Sequence, residues 1–210
     1  MNKVKALYGS LLKKYGKQGW WPVIRRLQSH YHPGDYDTPN TPEERFQIAV
    51  GAILAQNTNW KNAETALLNL CRAGLLNPEK LARASDFEIA NLIRPSGYYN
   101  QKTRKIQEFV KNCPPLSNGK TIGELREHLL SIRGLGPETA DSIILYAYKK
   151  PVFVIDTYTK RFCAAHDLPV SGDYNDYREF FESALRKDYR IFNEYHALIV
   201  AWGKENKPKV

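Results

Sequence analysis

Several absences narrow the class of this chain before any motif is read. Three cysteines occur in 210 residues, Cys71, Cys113 and Cys163, far apart and odd in number. They form neither a Cys-x-x-Cys pair nor a disulfide framework, and read as isolated buried thiols. No apolar stretch reaches the ~18 residues of a membrane span, so a transmembrane helix and a membrane partner are not expected. Met1-Asn2-Lys3-Val4-Lys5 lacks the apolar core of a signal peptide, which points to a cytoplasmic protein, nucleoid-associated in a prokaryote. Acidic residues are outnumbered: Asp+Glu 22 against Lys+Arg 31 gives a net charge of +9, which favours a polyanionic partner. Alternating strand patterns are almost absent. What remains is an ordinary globular composition, 42% hydrophobic and 25% charged. It is enough for one core, or two small lobes sharing an interface, and a monomer is expected.

Helical periodicity dominates. A first amphipathic helix is expected over 3–15, followed by the irregular Trp20-Trp21-Pro22 and a turn-rich loop from Ser29 to Thr41. Thr41-Pro42-Glu43-Glu44 supplies an N-cap, a Pro at the first helical position and a capping-box Glu. The helix it opens, Phe46 to Ala55, is apolar on nearly all sides and should be central. Another helix is expected from Trp60 to Cys71. Ser85-Asp86-Phe87-Glu88 reads as a second capping box, for a helix that stops before Arg94-Pro95-Ser96-Gly97. Tyr98 to Lys111 is basic and helical, and Cys113-Pro114-Pro115 should end it. Later helices are expected over 121–130, 137–148, 156–165, 174–187 and 190–203, with a frayed polar tail from Lys204 to Val210.

The stretch Leu130-Ser131-Ile132-Arg133-Gly134-Leu135-Gly136-Pro137-Glu138-Thr139-Ala140 joins two of these helices through a Gly-x-Gly hairpin. Glycines let the backbone turn tightly and approach a ligand. The N–H groups of the hairpin and of the following helix start then face outward, where a nucleic-acid phosphate can dock. Asp156 follows twenty residues after the second glycine, behind an apolar run. This helix-hairpin-helix with its trailing Asp resembles the DNA glycosylase superfamily built on that motif.

Four further segments strengthen the resemblance to the endonuclease-III-like branch. Gly51 to Thr58 looks like its helix-to-loop segment. Ser96 to Lys102 resembles its second DNA-facing loop, and Tyr195 to Lys204 the helix before its iron–sulfur loop. Trp20-Trp21-Pro22 and Gln56-Asn57-Thr58, with a following aromatic, resemble the 3-methyladenine glycosylases. The implied fold is all-α, with two lobes around a DNA cleft. Residues 37–150 would form one lobe, containing the helix-hairpin-helix at about 121–148. Residues 1–36 and 151–210 would form the other. No four-cysteine set follows the last helix, so ligand count excludes an iron–sulfur cluster. Bifunctional members carry a Lys two residues after the second glycine. Here that residue is Glu138, which cannot form a Schiff base, and a monofunctional enzyme using water is implied.

Asp156 is the expected catalytic residue. N-glycosidic cleavage builds positive charge on the sugar, and a fixed carboxylate stabilises it. Asp156 also reads as a plain N-cap for Thr157-Tyr158-Thr159, and the two roles are compatible. The expected base pocket comprises Trp20, Trp21, Pro22, Trp60, Glu138 and Lys204. Aromatic faces hold a flipped base, and attract a cationic one further. Core packing is the plainer reading of the tryptophans, and a helix-dipole partner that of Lys204. Expected DNA contacts are Gln56, Asn57, Tyr98, Asn100, Arg133, Gly134, Leu135, Gly136 and Thr139, with Gln56 as a plug and Tyr98 as a wedge. Their plainer readings are a C-cap contact for Gln56 and packing on Tyr99 for Tyr98. By the same resemblance the carbonyls of Leu130, Ile132 and Leu135 would hold a structural monovalent cation, and no other cofactor is implied. His30 and His32 read as loop residues, His128 and His196 as structural ones. The activity implied is excision of an alkylated purine from double-stranded DNA. The rivals are a uracil or mismatched-thymine glycosylase and a catalytically silent DNA-binding module.

Overall fold

The computed structural model describes residues 2–113 and 119–206. Eleven α-helices carry the fold among them. Helix α1 (Lys3–Tyr15) is capped by Asn2, whose side chain accepts the Val4 N–H. Central α2 (Pro42–Leu54) buries Phe46 and every residue from 48 to 54. Then come α3 (Trp60–Arg72), α4 (Pro78–Arg83), α5 (Asp86–Ile93) and α6 (Tyr99–Asn112). Helices α7 (Ile122–Ser131) and α8 (Pro137–Ser142) flank the Gly-x-Gly hairpin, and α8 continues as a π-helical turn, Ile143–Ala147. Last are α9 (Thr157–Ala165), α10 (Tyr174–Ala184) and α11 (Tyr189–Glu205). Pro114 and Pro115, expected to stop α6, and the tail from Lys207 lie outside the described residues, while Lys204 and Glu205, read as part of a frayed tail, instead close α11.

Helices α3 and α6 each pack on both α2 and α5, and α1 and α9 each pack on α11. Both α2 and α11 lean on the π-helical turn, so one continuous apolar cluster runs through the molecule. The Tyr195 hydroxyl ties α11 to α1 by donating to the Val4 carbonyl at 3.0 Å. Arg126 on α7 pairs with fully buried Asp141 on α8 at 2.8 Å, fixing the angle at which the hairpin is held out.

Three local expectations need correction. A two-stranded antiparallel hairpin, β1 (Val23–Arg25) and β2 (Gln28–His30), occupies part of the segment read as irregular and loop. It packs on α2, where the Gln47 side chain bonds both the N–H and the carbonyl of Ile24. Helix α4 was also not foreseen. At α2, Thr41 caps the Glu44 N–H as expected, but the Glu44 carboxylate turns to the Asn40 N–H and to Arg25 instead of closing a capping box.

Candidate active site

Asp156 stands at the N-cap of α9, and its position at the end of the buried run 152–155 is what carries it into the interior. Its Oδ1 accepts the Thr159 N–H at 2.7 Å and the Thr159 hydroxyl at 2.9 Å. Its Oδ2 lies 3.4 Å from Nε2 of His196, on α11. Burial opposes ionisation of Asp156, but the His196 imidazole and the two Thr159 donors outweigh it and hold the carboxyl below its usual range. The cap and a reactive carboxylate are thus the same group seen from two sides.

Asp156 opens onto a cavity of about 540 Å³, in the size range of a small-molecule or base pocket. Trp20, Trp60, Glu138 and Lys204 line it with Asp156, as expected, and Trp21 forms its inner wall. Trp60 packs edge-on against both other indoles, with Trp20–Trp60 centroids 5.0 Å apart and Trp21–Trp60 5.1 Å apart. Trp21 is only 6% exposed, so it is core and pocket wall together. It lies against Gly51 of α2, where a Cβ would come within 3.1 Å of its indole nitrogen. Pro22 is the exception: it is buried outside the cavity and does not line it.

Glu138 sits in the first turn of α8. Desolvation and the neighbouring Asp156 charge raise its pKa, against the pull of His196 and Lys160. Lys204 is not a mere dipole partner. Its ammonium lies 5.6 Å over the Trp20 ring, and desolvation lowers its pKa.

Around the mouth, the residues read as DNA-facing divide. Tyr98 is 64% exposed in the left-handed region (φ 45°), and Asn57 also takes a left-handed conformation (φ 52°) on an exposed loop. Asn100, Arg133, Gly134 and Gly136 are exposed as well. Gln56, by contrast, is held by the protein: its amide donates to the Gly134 carbonyl at 3.2 Å and to Thr139 Oγ1 at 2.9 Å, and accepts from Lys105 at 2.6 Å. Leu135 is likewise engaged within the protein: its side chain is buried and its N–H donates to the Ile132 carbonyl at 3.1 Å. Thr139 is buried and reaches the mouth only through Gln56. No side chain caps α8, whose first-turn N–H groups therefore remain for an anion.

Three contributors escaped the sequence reading. His196, read as structural, lines the cavity. Tyr146, from the π-helical turn, places its hydroxyl 2.6 Å from His196 Nδ1. Lys102 is almost fully buried and donates to the carbonyls of Leu54 (2.8 Å) and Ser96 (2.7 Å), tying together the two loops that carry Gln56 and Tyr98. The basic helix pattern gave Lys102 no distinction from its solvated neighbours. His128 and His32 fit their plain reading, His128 contacting the Asn112 carbonyl and His32 those of Asp35 and Trp21, whereas His30, read as a loop residue, ends β2.

Comparison with known proteins agrees with this architecture. Residues 50–187 match the family described as "HhH-GPD superfamily base excision DNA repair protein". The chain is 39% identical over 203 residues to "Putative DNA repair glycosylase MJ1434" of Methanocaldococcus jannaschii, covering 92% of this chain and 84% of that one. It is similar in structure to the Helicobacter pylori 3-methyladenine DNA glycosylase bound to 1,N6-ethenoadenine (TM-score 0.74, 26% identity, 98% and 97% of the two chains). It shares its fold with endonuclease III in a non-covalent DNA complex (TM-score 0.75, 15% identity, 99% and 88% covered). The matched span contains the hairpin and the Asp156 cap and makes up more than half of the sequence; the chain belongs to the HhH-GPD superfamily and is a base excision repair DNA glycosylase.

Proposed function

We propose that this glycosylase is monofunctional and removes an alkylated purine, such as 3-methyladenine, from double-stranded DNA as a monomer. The observation that carries the reading is the cavity itself, with indoles on its walls, a carboxylate held ionised at its end and a second carboxylate where lyase chemistry needs an amine. The base would leave the stack and enter between Trp20 and Trp60 against the Trp21 wall. Unstacking costs a few kcal/mol, offset by Tyr98 as wedge and by Gln56 and Asn57 as plug. Gln56 must exchange its hairpin bonds for contacts in the duplex.

An N-alkylated purine carries positive charge, and a desolvated indole face gains up to about 2 kcal/mol from a cation. Such a base also departs readily, so no strong acid is required. As the N-glycosidic bond breaks, its electron pair leaves with the base, and Asp156 stabilises the oxocarbenium-like sugar. Water then adds to the anomeric carbon and gives up a proton to the carboxylate or solvent, leaving an abasic site. No iron–sulfur cluster is invoked. The carbonyls of Leu130, Ile132 and Leu135 suit a structural monovalent cation at the phosphate contact. Although Ile132 already accepts the Leu135 N–H, a carbonyl oxygen retains a second lone pair. The H. pylori neighbour, a 3-methyladenine glycosylase by name, supports the substrate class.

The experiment is a panel of duplexes, each with one defined lesion, scored for abasic sites after alkali. Release of 3-methyladenine with uracil and mismatched thymine untouched is expected. The reverse pattern overturns the substrate class, and no release from any duplex overturns catalysis.

A further inference from the structure

We propose that His196, oriented by Tyr146, is the positioning residue that holds the Asp156 carboxylate aligned and charged for the sugar cation. The inference rests on Asp156 being the catalytic carboxylate, and adds a part that the proposed function does not contain.

Tyr146 is 1% exposed, and its hydroxyl meets His196 Nδ1 at 2.6 Å. A phenol so buried keeps its proton, because desolvation and the nearby Asp156 and Glu194 charges all oppose its loss. Nδ1 is the acceptor within reach of that buried proton, so we take the phenol as donor and Nδ1 as acceptor. In a neutral imidazole the hydrogen must then be on Nε2, the nitrogen facing Asp156 Oδ2 across 3.4 Å. That nitrogen is buried and makes no completed hydrogen bond. An unspent buried donor is costly, and the carboxylate oxygen 3.4 Å from it is the one that Thr159 leaves free. Catalytic hydrogen bonds are often long before substrate binds and tighten once it is in place.

Asp156 needs this help. The charged and titratable groups around it are His196 from α11, Tyr146 from the π-helical turn and Glu138 from α8, with Lys160 on its own helix acting on Glu138, and with Lys204 of α11 and Tyr158 of α9 lining the same cavity. A buried carboxylate beside a second one tends to take up a proton, and a protonated Asp156 cannot stabilise a cation. An Nε2–H donor favours the charged form without cancelling its charge. Tyr146 also packs its ring 5.5 Å from that of Trp21, so the same side chain touches the base wall and the orienting histidine.

The test compares His196→Leu, which removes the donor, with His196→Gln, whose amide nitrogen can take the place of Nε2. The Asp156 carboxyl pKa is read by 13C NMR titration of the free protein, assigned with Asp156→Asn. In His196→Leu it should rise by about one unit or more, and single-turnover excision should fall at least about tenfold, with duplex affinity within about twofold. His196→Gln should restore both readouts to within about threefold or half a unit of wild type. Tyr146→Phe should slow excision in the wild-type background and have no effect in His196→Gln, where no tautomer remains to be fixed. An unmoved Asp156 titration in His196→Leu overturns the proposal. So does equal impairment of His196→Leu and His196→Gln, or an additive Tyr146→Phe effect. The titration needs no lesion, so a wrong substrate class would leave it intact. Should His196→Leu fail to fold, the Tyr146→Phe and His196→Gln cycle decides alone.

Discussion

Trp60 donates its indole N–H to the Tyr31 hydroxyl at 3.0 Å, so a residue just beyond β2 sets the tilt of a pocket wall that belongs to α3. Tyr31 also lies 6.1 Å from the Trp20 ring, so it touches both indoles from outside the cavity lining. Trp60→Ala and Trp20→Ala should each depress 3-methyladenine excision about tenfold, which needs only ~1.4 kcal/mol of differential binding. Intrinsically labile lesions should be less affected, because their bond breaks with less help. Trp21→Ala should behave differently: deleting so buried an indole should cost roughly 3–5 kcal/mol of stability, read from urea midpoints. Full activity in the Trp20 and Trp60 variants would remove them from base recognition.

The hairpin glycines should separate. Gly134 has φ 97°, and a Cβ there would meet the Lys105 stem at 2.6 Å, whereas Gly136 has an ordinary φ and open space around it. Gly134→Ala should therefore lower both stability and duplex affinity, at about 1–3 kcal/mol. Gly136→Ala should leave stability unchanged and weaken binding to damaged and undamaged duplex alike, by blocking backbone approach to a phosphate. Equal melting temperatures for both variants would contradict the assignment.

Lys102 offers a pH test. Burial and the charge of Lys105 push its pKa down to about 8, from 10.5 for a free lysine. Below pH 8 both folded and unfolded chains hold the proton, and this site adds no slope. From about pH 8 to 10.5 the unfolded chain binds the proton that the folded chain has lost, so stability at this site rises with pH. Wild type should gain on Lys102→Met across that window in urea unfolding. Parallel curves would mean that the ammonium is not the buried species.

Much of this fold was legible in the sequence because its signals are local. The caps Thr41, Ser85 and Asp156 accept the N–H groups that their spacing implied, although Glu88, like Glu44, closes no capping box. The β-hairpin was not legible: its turn uses Arg26 and Leu27 at positive φ, without the Gly or Asn that ordinarily marks such a turn. Helix α4 did carry a signal, Asn77 capping before Pro78, but it spans only six residues. In the site, Asp156, Glu138 and the tryptophans were found from motif and position. His196, Tyr146 and Lys102 were not, since each depends on a partner 40 or more residues away in sequence. A helical period records which face is buried, and says nothing of what a polar group on that face meets.

Glu138 in place of an amine bears on the product. Borohydride should trap no covalent adduct with substrate DNA, and strand cleavage should require added alkali. A trapped adduct lost in Lys204→Ala would assign lyase chemistry to the ammonium beside Trp20.

The most direct test of the whole account is Asp156→Asn under single-turnover conditions, with duplex affinity measured on the same preparation. Asn keeps a side-chain oxygen for the Thr159 cap while removing the charge, so folding and binding should stay near wild type. Excision should fall by roughly two or more orders of magnitude. Near-normal turnover in this variant would reduce Asp156 to a helix cap and contradict the mechanism.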